Sequence, residues 1–435
     1  MLMKTRLGTF VLGLVLACVA VGADEAFIFV DSGQALGNSN TLSVALGDFD
    51  GDGDLDAIIA NNGQPNTVWT NNGNGTFTNS GQALGNSNSC SVALGDLDGD
   101  GDLDAFVGEK GIIDCCPEPN KVWFNDGTGL FFDSGQTLGN NFSFSVALGD
   151  LDGDGDLDAM VANSFDQPNT IWTNDGTGTF TNSGQALGSS SSHSVALGDI
   201  DGDGDLDAIV ANSQKPNTVW ANNGTGIFTN SGQALGNSNS QSVTLGDIDG
   251  DGDLDAIVAN SFYDPNEVWT NDGTGSFTDS GQALGGSAES RSYSVVLGDI
   301  DSDGDLDSLI ANCCGQPNTV WTNDGTGMFT NSKQILGEGG RSVVLGDLDS
   351  DGDLDAMVVN VNGLANTVWF NLQGTTKCVA GDLDGDGDFD VDDVRAGMNL
   401  FGIQEAGSCV GDVNSDGEVN GIDLSYILNG WGICE

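Results

Sequence analysis

One segment recurs seven times in this chain of 435 residues, and that self-similarity limits the fold more than any other feature. Ser43-Val44-Ala45-Leu46-Gly47 precedes Asp48, and near-copies precede Asp96, Asp150, Asp199, Asp247, Asp299 and Asp347. The intervals between these Asp residues are 48, 54, 49, 48, 52 and 48. Each unit runs through the same parts. Ser43 to Gly47 alternates apolar with small residues and reads as a strand. An Asp-rich loop follows, then a buried apolar run at Ala57 to Ala60. Thr67-Val68-Trp69-Thr70 reads as a third strand, rich in β-branched and aromatic residues. Asn71-Asn72-Gly73-Asn74-Gly75 is a hairpin turn, because Asn and Gly tolerate positive φ, and a fourth strand carries Phe77.

Four antiparallel strands per unit is the pattern of a propeller blade. The expected fold is therefore all-β, a seven-bladed β-propeller. One Trp falls in each unit, at Trp69, Trp123, Trp172, Trp220, Trp269, Trp321 and Trp369. Each can bury ~150–250 Å² between blades, which is a stronger reading than a ligand-binding stripe. The chain ends indicate closure. The seventh unit stops after Asn371 without its fourth-strand Phe. Phe29-Val30-Asp31-Ser32-Gly33-Gln34 matches Phe180-Thr181-Asn182-Ser183-Gly184-Gln185, so the N-terminal strand is expected to complete the last blade. Closing the ring removes two open edges.

The first Asp loop, Asp48-Phe49-Asp50-Gly51-Asp52-Gly53-Asp54-Leu55-Asp56, places carboxylates at positions 1, 3, 5 and 9 and Gly at position 6. Position 7 offers its backbone carbonyl. Ca²⁺ takes six to eight hard oxygen ligands, and alternating Asp residues on a tight loop supply them. Without a cation these carboxylates repel one another. The recurring LGDFDGDGDLDAIIAN…NTVW unit resembles the FG-GAP and VCBS repeats of integrin α-subunit propellers and of many exported bacterial proteins. The literal Phe-Gly…Gly-Ala-Pro element is absent. The resemblance spans about residues 27–372 and implies one Ca²⁺ in the hairpin joining the first two strands of each blade, about seven in all. Its implied ligands are Asp48, Asp50, Asp52 and Asp56 in the first blade and Asp96, Asp98, Asp100 and Asp104 in the second. Blades three and four supply Asp150, Asp152, Asp154 and Asp158, then Asp199, Asp201, Asp203 and Asp207. Blade five supplies Asp247, Asp249, Asp251 and Asp255, and blade six Asp299, Asp301, Asp303 and Asp307. Blade seven supplies Asp347, Asp349, Asp351 and Asp355.

After Gly374 the pattern changes. A twelve-residue loop places Asp382, Asp384, Asp386, Asp390 and Asp393 at positions 1, 3, 5, 9 and 12. A second places Asp412, Asn414, Asp416, Asn420 and Asp423 in the same way, again with Gly at position 6. This is EF-hand arithmetic with Asp at position 12, and it predicts two further Ca²⁺ ions. Helix-like segments follow at Val394 to Phe401 and Leu424 to Trp431. The pair resembles a small α-helical dockerin domain, which implies a cohesin-like partner. Val391-Asp392 and Gly421-Ile422 stand where dockerins often carry Ser-Thr. A calcium-stabilised cap without such a partner is the alternative.

Lys and Arg total 10 against 65 Asp and Glu, a formal net charge of −55. That excludes nucleic acid and anionic membrane surfaces as default partners. Lys4, Arg6, the apolar run Leu7 to Val21 and the small residues Val21-Gly22-Ala23 form a secretory signal over residues 1–23. The expected domains are then the propeller at 24–374 and the dockerin-like module at 375–435. No other stretch is apolar enough to span a bilayer. Export favours disulfides among Cys90, Cys115, Cys116, Cys313, Cys314, Cys378, Cys409 and Cys434. Their pairing is open, and the two adjacent pairs read as local loop locks.

The one histidine, His193, falls in a connector between blades and reads as solvent-exposed, with no partner for catalysis. Every clustered carboxylate is assigned to calcium. The chain therefore reads as a secreted binding or adhesion protein rather than an enzyme. A polysaccharide lyase or hydrolase and a purely structural surface protein are the alternatives. Variation concentrates in the second-to-third strand loops and the connectors between blades, among them Phe142, Phe144, Tyr263, Tyr293 and Glu289. Both sets are expected on the face opposite the calcium hairpins, where a protein or glycan ligand would bind.

Overall fold

The computed structural model describes residues 16–19, 27–86, 88–112, 116–262, 264–285, 291–373 and 377–380. The chain divides into two compact units, Ala23–Gln373 and the paired segments Met1–Gly22 and Gly374–Glu435. In the latter unit Leu16–Val19 pairs antiparallel with Lys377–Ala380, with Cys18 opposite Cys378 in the register. The two C-terminal calcium loops and their helices lie outside the described residues.

The larger unit contains seven four-stranded antiparallel sheets. In the first, Thr41–Gly47, Asp56–Asn61, Asn66–Thr70 and Thr78–Leu84 pair in sequence order. Phe77 sits one residue ahead of the fourth strand and is buried. The seventh sheet takes three strands from Gly340–Gly346, Asp355–Asn360 and Thr367–Leu372, and its outer strand, Ile28–Asp31, from the start of the chain. Phe29 pairs with Asn371 and Asp31 with Trp369, as the matched N-terminal sequence predicts. The first strands neighbour one another around the ring, and Gly340–Gly346 lies beside Thr41–Gly47, so the circle closes.

Burial follows from where each strand lies. The second strands are buried throughout, consistent with continuous apolar runs such as Ala57-Ile58-Ile59-Ala60. The core divides into clusters that each span two neighbouring blades. One joins Phe49, Ile58 and Val68 of blade one to Val107, Trp123 and Phe131 of blade two. The tryptophans occupy these interfaces, and Trp369 is 3% exposed. Gly47 ends its strand where a Cβ would meet the Leu103 Cδ1 of the next blade at 2.7 Å, so a larger residue there would push that leucine aside.

Hydrogen bonds also tie each blade to the next. The Gln of every Ser-Gly-Gln or Ser-Lys-Gln corner reaches the following blade's turn. Gln136 Nε2 donates to the Gly178 carbonyl at 2.6 Å, and its Oε1 accepts from Phe180 N–H at 2.9 Å. Gln34 does the same for Gly75 and Phe77. Gln82, Gln185, Gln233 and Gln282 repeat the clamp. Gln334 completes the circle by accepting from Phe29 N–H and donating to the Phe27 carbonyl.

Gln136→Ala removes two such bonds, each worth about 1 kcal/mol net. We expect a loss of about 2 kcal/mol in urea unfolding, with Gln334→Ala costing a similar amount at the closure. An unchanged midpoint in both variants would show that the clamps carry no load.

Candidate functional site

The seven Asp loops are built alike. The position 1 carboxylate orders the loop from within. Asp48 Oδ1 accepts from Gly51 N–H at 2.8 Å, and Oδ2 accepts from Gly53 N–H at 3.0 Å. Gly53 has φ of +96°, the left-handed region the sharp turn requires. Position 2 is apolar and turns inward: Phe49, Leu97, Leu151, Ile200, Ile248, Ile300 and Leu348 are all buried. Position 9 is fully buried and ties two hairpins together. Asp56 Oδ2 accepts from Phe49 N–H, and Oδ1 accepts from Asn71 N–H at 2.7 Å. The Asn71 side chain in turn donates to Leu348 O of the preceding blade at 2.7 Å. Asn125, Asn174, Asn222, Asn271, Asn323 and Asn371 make the same link, so each Asp loop is bonded to the next blade.

These loops gather carboxylate oxygens, and among the described residues no Lys or Arg forms an ion pair with them. Ligand atoms of Asp48, Asp50 and Asp56 lie within 4.8 Å of one another. Equivalent groups form at Asp96, Asp98 and Asp104, and at Asp150, Asp152 and Asp158. In blades four and five the groups are Asp199, Asp201 and Asp203, and Asp247, Asp249 and Asp251. The position 3 carboxylates mark the focus. The Oδ1 atoms of Asp98, Asp152, Asp201, Asp249 and Asp301 are sealed from solvent and accept no hydrogen bond. A buried acceptor left without a donor is costly. A hard divalent cation fits this donor set, and Asp48, Asp50, Asp52, Asp56 and their equivalents are the residues that would hold it. Of the expected C-terminal ligands, Asp382 to Asp393 and Asp412 to Asp423 lie outside the described residues.

Burial, more than neighbouring charge, pushes the Asp56 carboxyl up to about 6. Asp104, Asp158, Asp207 and Asp255 also reach about 6. Asp307 and Asp355 reach about 7. Asp50 is raised by burial and then by Asp52.

At the other end of the first strands the repeat frame contains one free position. Each strand starts with a register shift, as between Thr41 and Ser43 or between Ser192 and Ser194. The residues inside these bulges are Leu42, Cys90, Phe144, His193, Gln241, Tyr293 and Arg341. With the Ser that follows each of them, they line one cavity of about 120 Å³ on the ring axis. A bulge re-aims a side chain, and here it does so seven times around one channel. This corrects the reading of His193 as an exposed loop residue. It belongs to the strand Ser192–Gly198 and stacks on Phe144, ring centroids 4.9 Å apart and planes at 11°. Burial, and then Arg341, pushes its imidazole down to about 4. Tyr293 likewise lies in the channel rather than on an outer loop. Phe142 packs on Phe165 at 5.0 Å, while Tyr263 and Glu289 lie outside the described residues.

A family model described as FG-GAP-like repeat matches residues 48–107, 150–210, 199–258, 247–310 and 303–358, more than half of the chain. The chain belongs to the FG-GAP-like repeat family. Two crystal structures of BBS1N in complex with ARL6DN, soaked with mercury and with lead, share the fold of this FG-GAP-like chain. Their TM-scores are 0.54 and 0.55, each at 10% identity, over 80% and 81% of this chain and 99% of that one. An Agrocybe aegerita lectin, solved for recognition of non-reducing terminal N-acetylglucosamine, matches with a TM-score of 0.46 and 21% identity, over 75% of this chain and 86% of its own. No curated protein matches the chain.

Two features of this FG-GAP-like propeller concern its cysteines. Cys313 and Cys314 are joined to each other in a second-to-third strand loop, as the adjacent-pair reading expects. Cys90 is a free, buried thiol in the channel. No helix among the described residues is long and apolar enough to cross a membrane.

The raised carboxyls set a pH dependence for the metal-free chain. Their folded-state values lie above the ordinary 3.8, so the folded chain holds protons that the unfolded chain releases. Metal-free stability therefore falls as pH rises from about 4 towards about 7. In EDTA we expect a higher melting temperature near pH ~5 than near pH ~7.5, and the reverse order in excess calcium. The same order in both conditions would contradict this account of the loops.

Proposed function

We propose that this chain is a secreted, calcium-stabilised propeller that binds a protein or glycan ligand through the face opposite its Asp loops. The C-terminal module is a dockerin-like calcium domain that docks the protein into an extracellular assembly through a cohesin-like partner. FG-GAP-like repeats on a propeller point to a binding or adhesion role rather than to catalysis. The observation that carries the calcium reading is the set of sealed position 3 carboxylate oxygens with no donor. In this reading, calcium at each loop neutralises Asp48, Asp50, Asp52, Asp56 and their counterparts, and so fixes the hairpin that the next blade's Asn grips.

The ligand face is supported by the second-to-third strand loops. Ile112, Phe165, Phe262 and Leu364 stand exposed in four of them, with Phe165 45% and Phe262 55% exposed. Phe165, Asp166, Gln214, Phe262, Cys314 and Asn362 hold positive φ without being glycine. Such backbone costs free energy and clusters where a surface is used.

Elemental analysis of the purified full chain is expected to give about nine calcium ions, seven in the propeller and two beyond it. A site held at about 100 times its Kd stabilises the fold by about 2.7 kcal/mol, so chelation should lower the melting temperature sharply. A chain that keeps its melting temperature after exhaustive EDTA, with no metal left, would refute the calcium reading. The ligand face is tested separately on glycan arrays and by pull-down with the calcium-loaded chain. Phe165→Ser with Phe262→Ser should abolish specific binding without moving the melting temperature. Turnover of a polysaccharide would instead establish the enzymatic alternative.

A further inference from the structure

We infer that the axial channel is a binding site for a small monocarboxylate, held by Arg341 with His193 beside it. This goes beyond the calcium and outer-face readings and stands on a different part of the ring.

Arg341 carries the argument. Its Nη1 is sealed from solvent and has no hydrogen-bond partner. The guanidinium lies 3.9 Å from the centre of the Tyr293 ring, so one face is covered by an aromatic wall. Its charged neighbours do not include a carboxylate. The described ion pairs are Lys121 with Asp133 and Lys215 with Asp166, and neither is in the channel. A guanidinium does not lose its proton at any working pH. Arg341 is half-buried with Tyr293 as its side-chain partner, and a desolvated cation without a counter-charge is unfavourable; this chain holds 65 acidic residues, and among those described none forms an ion pair with it. The geometry leaves an anion's place open in the channel.

The rest of the lining selects the anion. His193 Nδ1 is also sealed and unpartnered, and its lowered pKa keeps the ring neutral near pH 7. Arg341 supplies the charge on the axis and Lys110 interacts with Cys90 of the same lining, so the planar shape of the guanidinium, more than a charge count, favours a carboxylate. Guanidinium and carboxylate are planar and pair edge to edge. Six of the seven serines of the lining accept backbone N–H bonds from the next blade, as Ser91 does from Val146 at 3.2 Å, and each hydroxyl keeps a proton to donate. A cavity of about 120 Å³ holds the volume of about four waters, enough for a carboxylate and a few attached atoms. Phe144 and Tyr293 supply apolar walls for that remainder.

The sequence frame favours a ligand over drift. The residues on both sides of each bulge are nearly constant, Ser or Thr before and Ser-Val after, except Gly340 in blade seven. Only the channel-facing residue differs in every blade, and the one His of the chain is spent there.

The test is titration of the calcium-loaded full chain with acetate, with glucuronate as a larger monocarboxylate, with acetamide and with inorganic phosphate. Calorimetry gives affinity and stoichiometry. The imidazole resonances of the single histidine report occupancy directly. Acetate should bind one per chain and shift the His193 signals, glucuronate should bind more weakly because it exceeds the cavity, and acetamide should do neither. Arg341→Gln should weaken that binding by about tenfold to a hundredfold. Leu42→Trp fills the channel without removing the charge and should block binding in a chain that melts as before, which keeps the test valid if Arg341→Gln does not fold. Acetamide binding as tightly as acetate, phosphate binding more tightly than either carboxylate, carboxylates leaving the histidine signals unmoved, or Leu42→Trp binding normally would each overturn the assignment.

Discussion

The ring depends on the attachment of each acidic loop to the blade that follows it. Asp56 bonds the loop to its own blade's turn through Phe49 and Asn71, and Asn125 of the next blade takes the Phe49 carbonyl. The same atoms that shape a cation site therefore also fix the spacing between blades. Repulsion among the carboxylates and cohesion between the sheets are coupled at one place, seven times around. Much of the chain's acidic charge falls in loops where the backbone already supplies donors, and where a divalent ion would complete the set.

The sequence shows the ring, its seven blades and its closure with little ambiguity, because each is stated by repetition. The four-strand grammar, the interblade tryptophans and the borrowed strand Ile28–Asp31 all follow from near-identical words at near-equal intervals. The acidic pattern was equally legible, since position 6 glycine and alternating Asp have one economical geometric reading. Less legible were the roles inside the pattern. Position 9 reads as a ligand by spacing, and its two oxygens also accept backbone N–H groups from two different hairpins, a long-range role that no local window reveals. The clamping glutamines repeat as faithfully as the aspartates. Their partners sit about forty residues away, so the repetition alone gave no function for them.

His193 shows the opposite failure. A residue that varies between repeats reads as loop, and variability usually does mark loops. Here the variable residue is the extra member of a bulge at the start of an inner strand, and the bulge turns it onto the ring axis. The visible clue was the frame on either side, which stays nearly fixed while one position changes. A constant frame around a single changing residue is a mark of a lined channel, whereas connectors drift over several residues at once.

The borrowed outer strand has a mechanical consequence. Ile28 lies opposite Leu372, so the chain enters and leaves the propeller at the same end of one antiparallel strand pair. Tension applied at Ile28 and Leu372 acts across that pair and opens its bonds one after another, as a zipper parts, instead of shearing them together. The other six blades carry no tension until this seam has parted. An extended tether on either side would thus find its weakest link at the seventh blade.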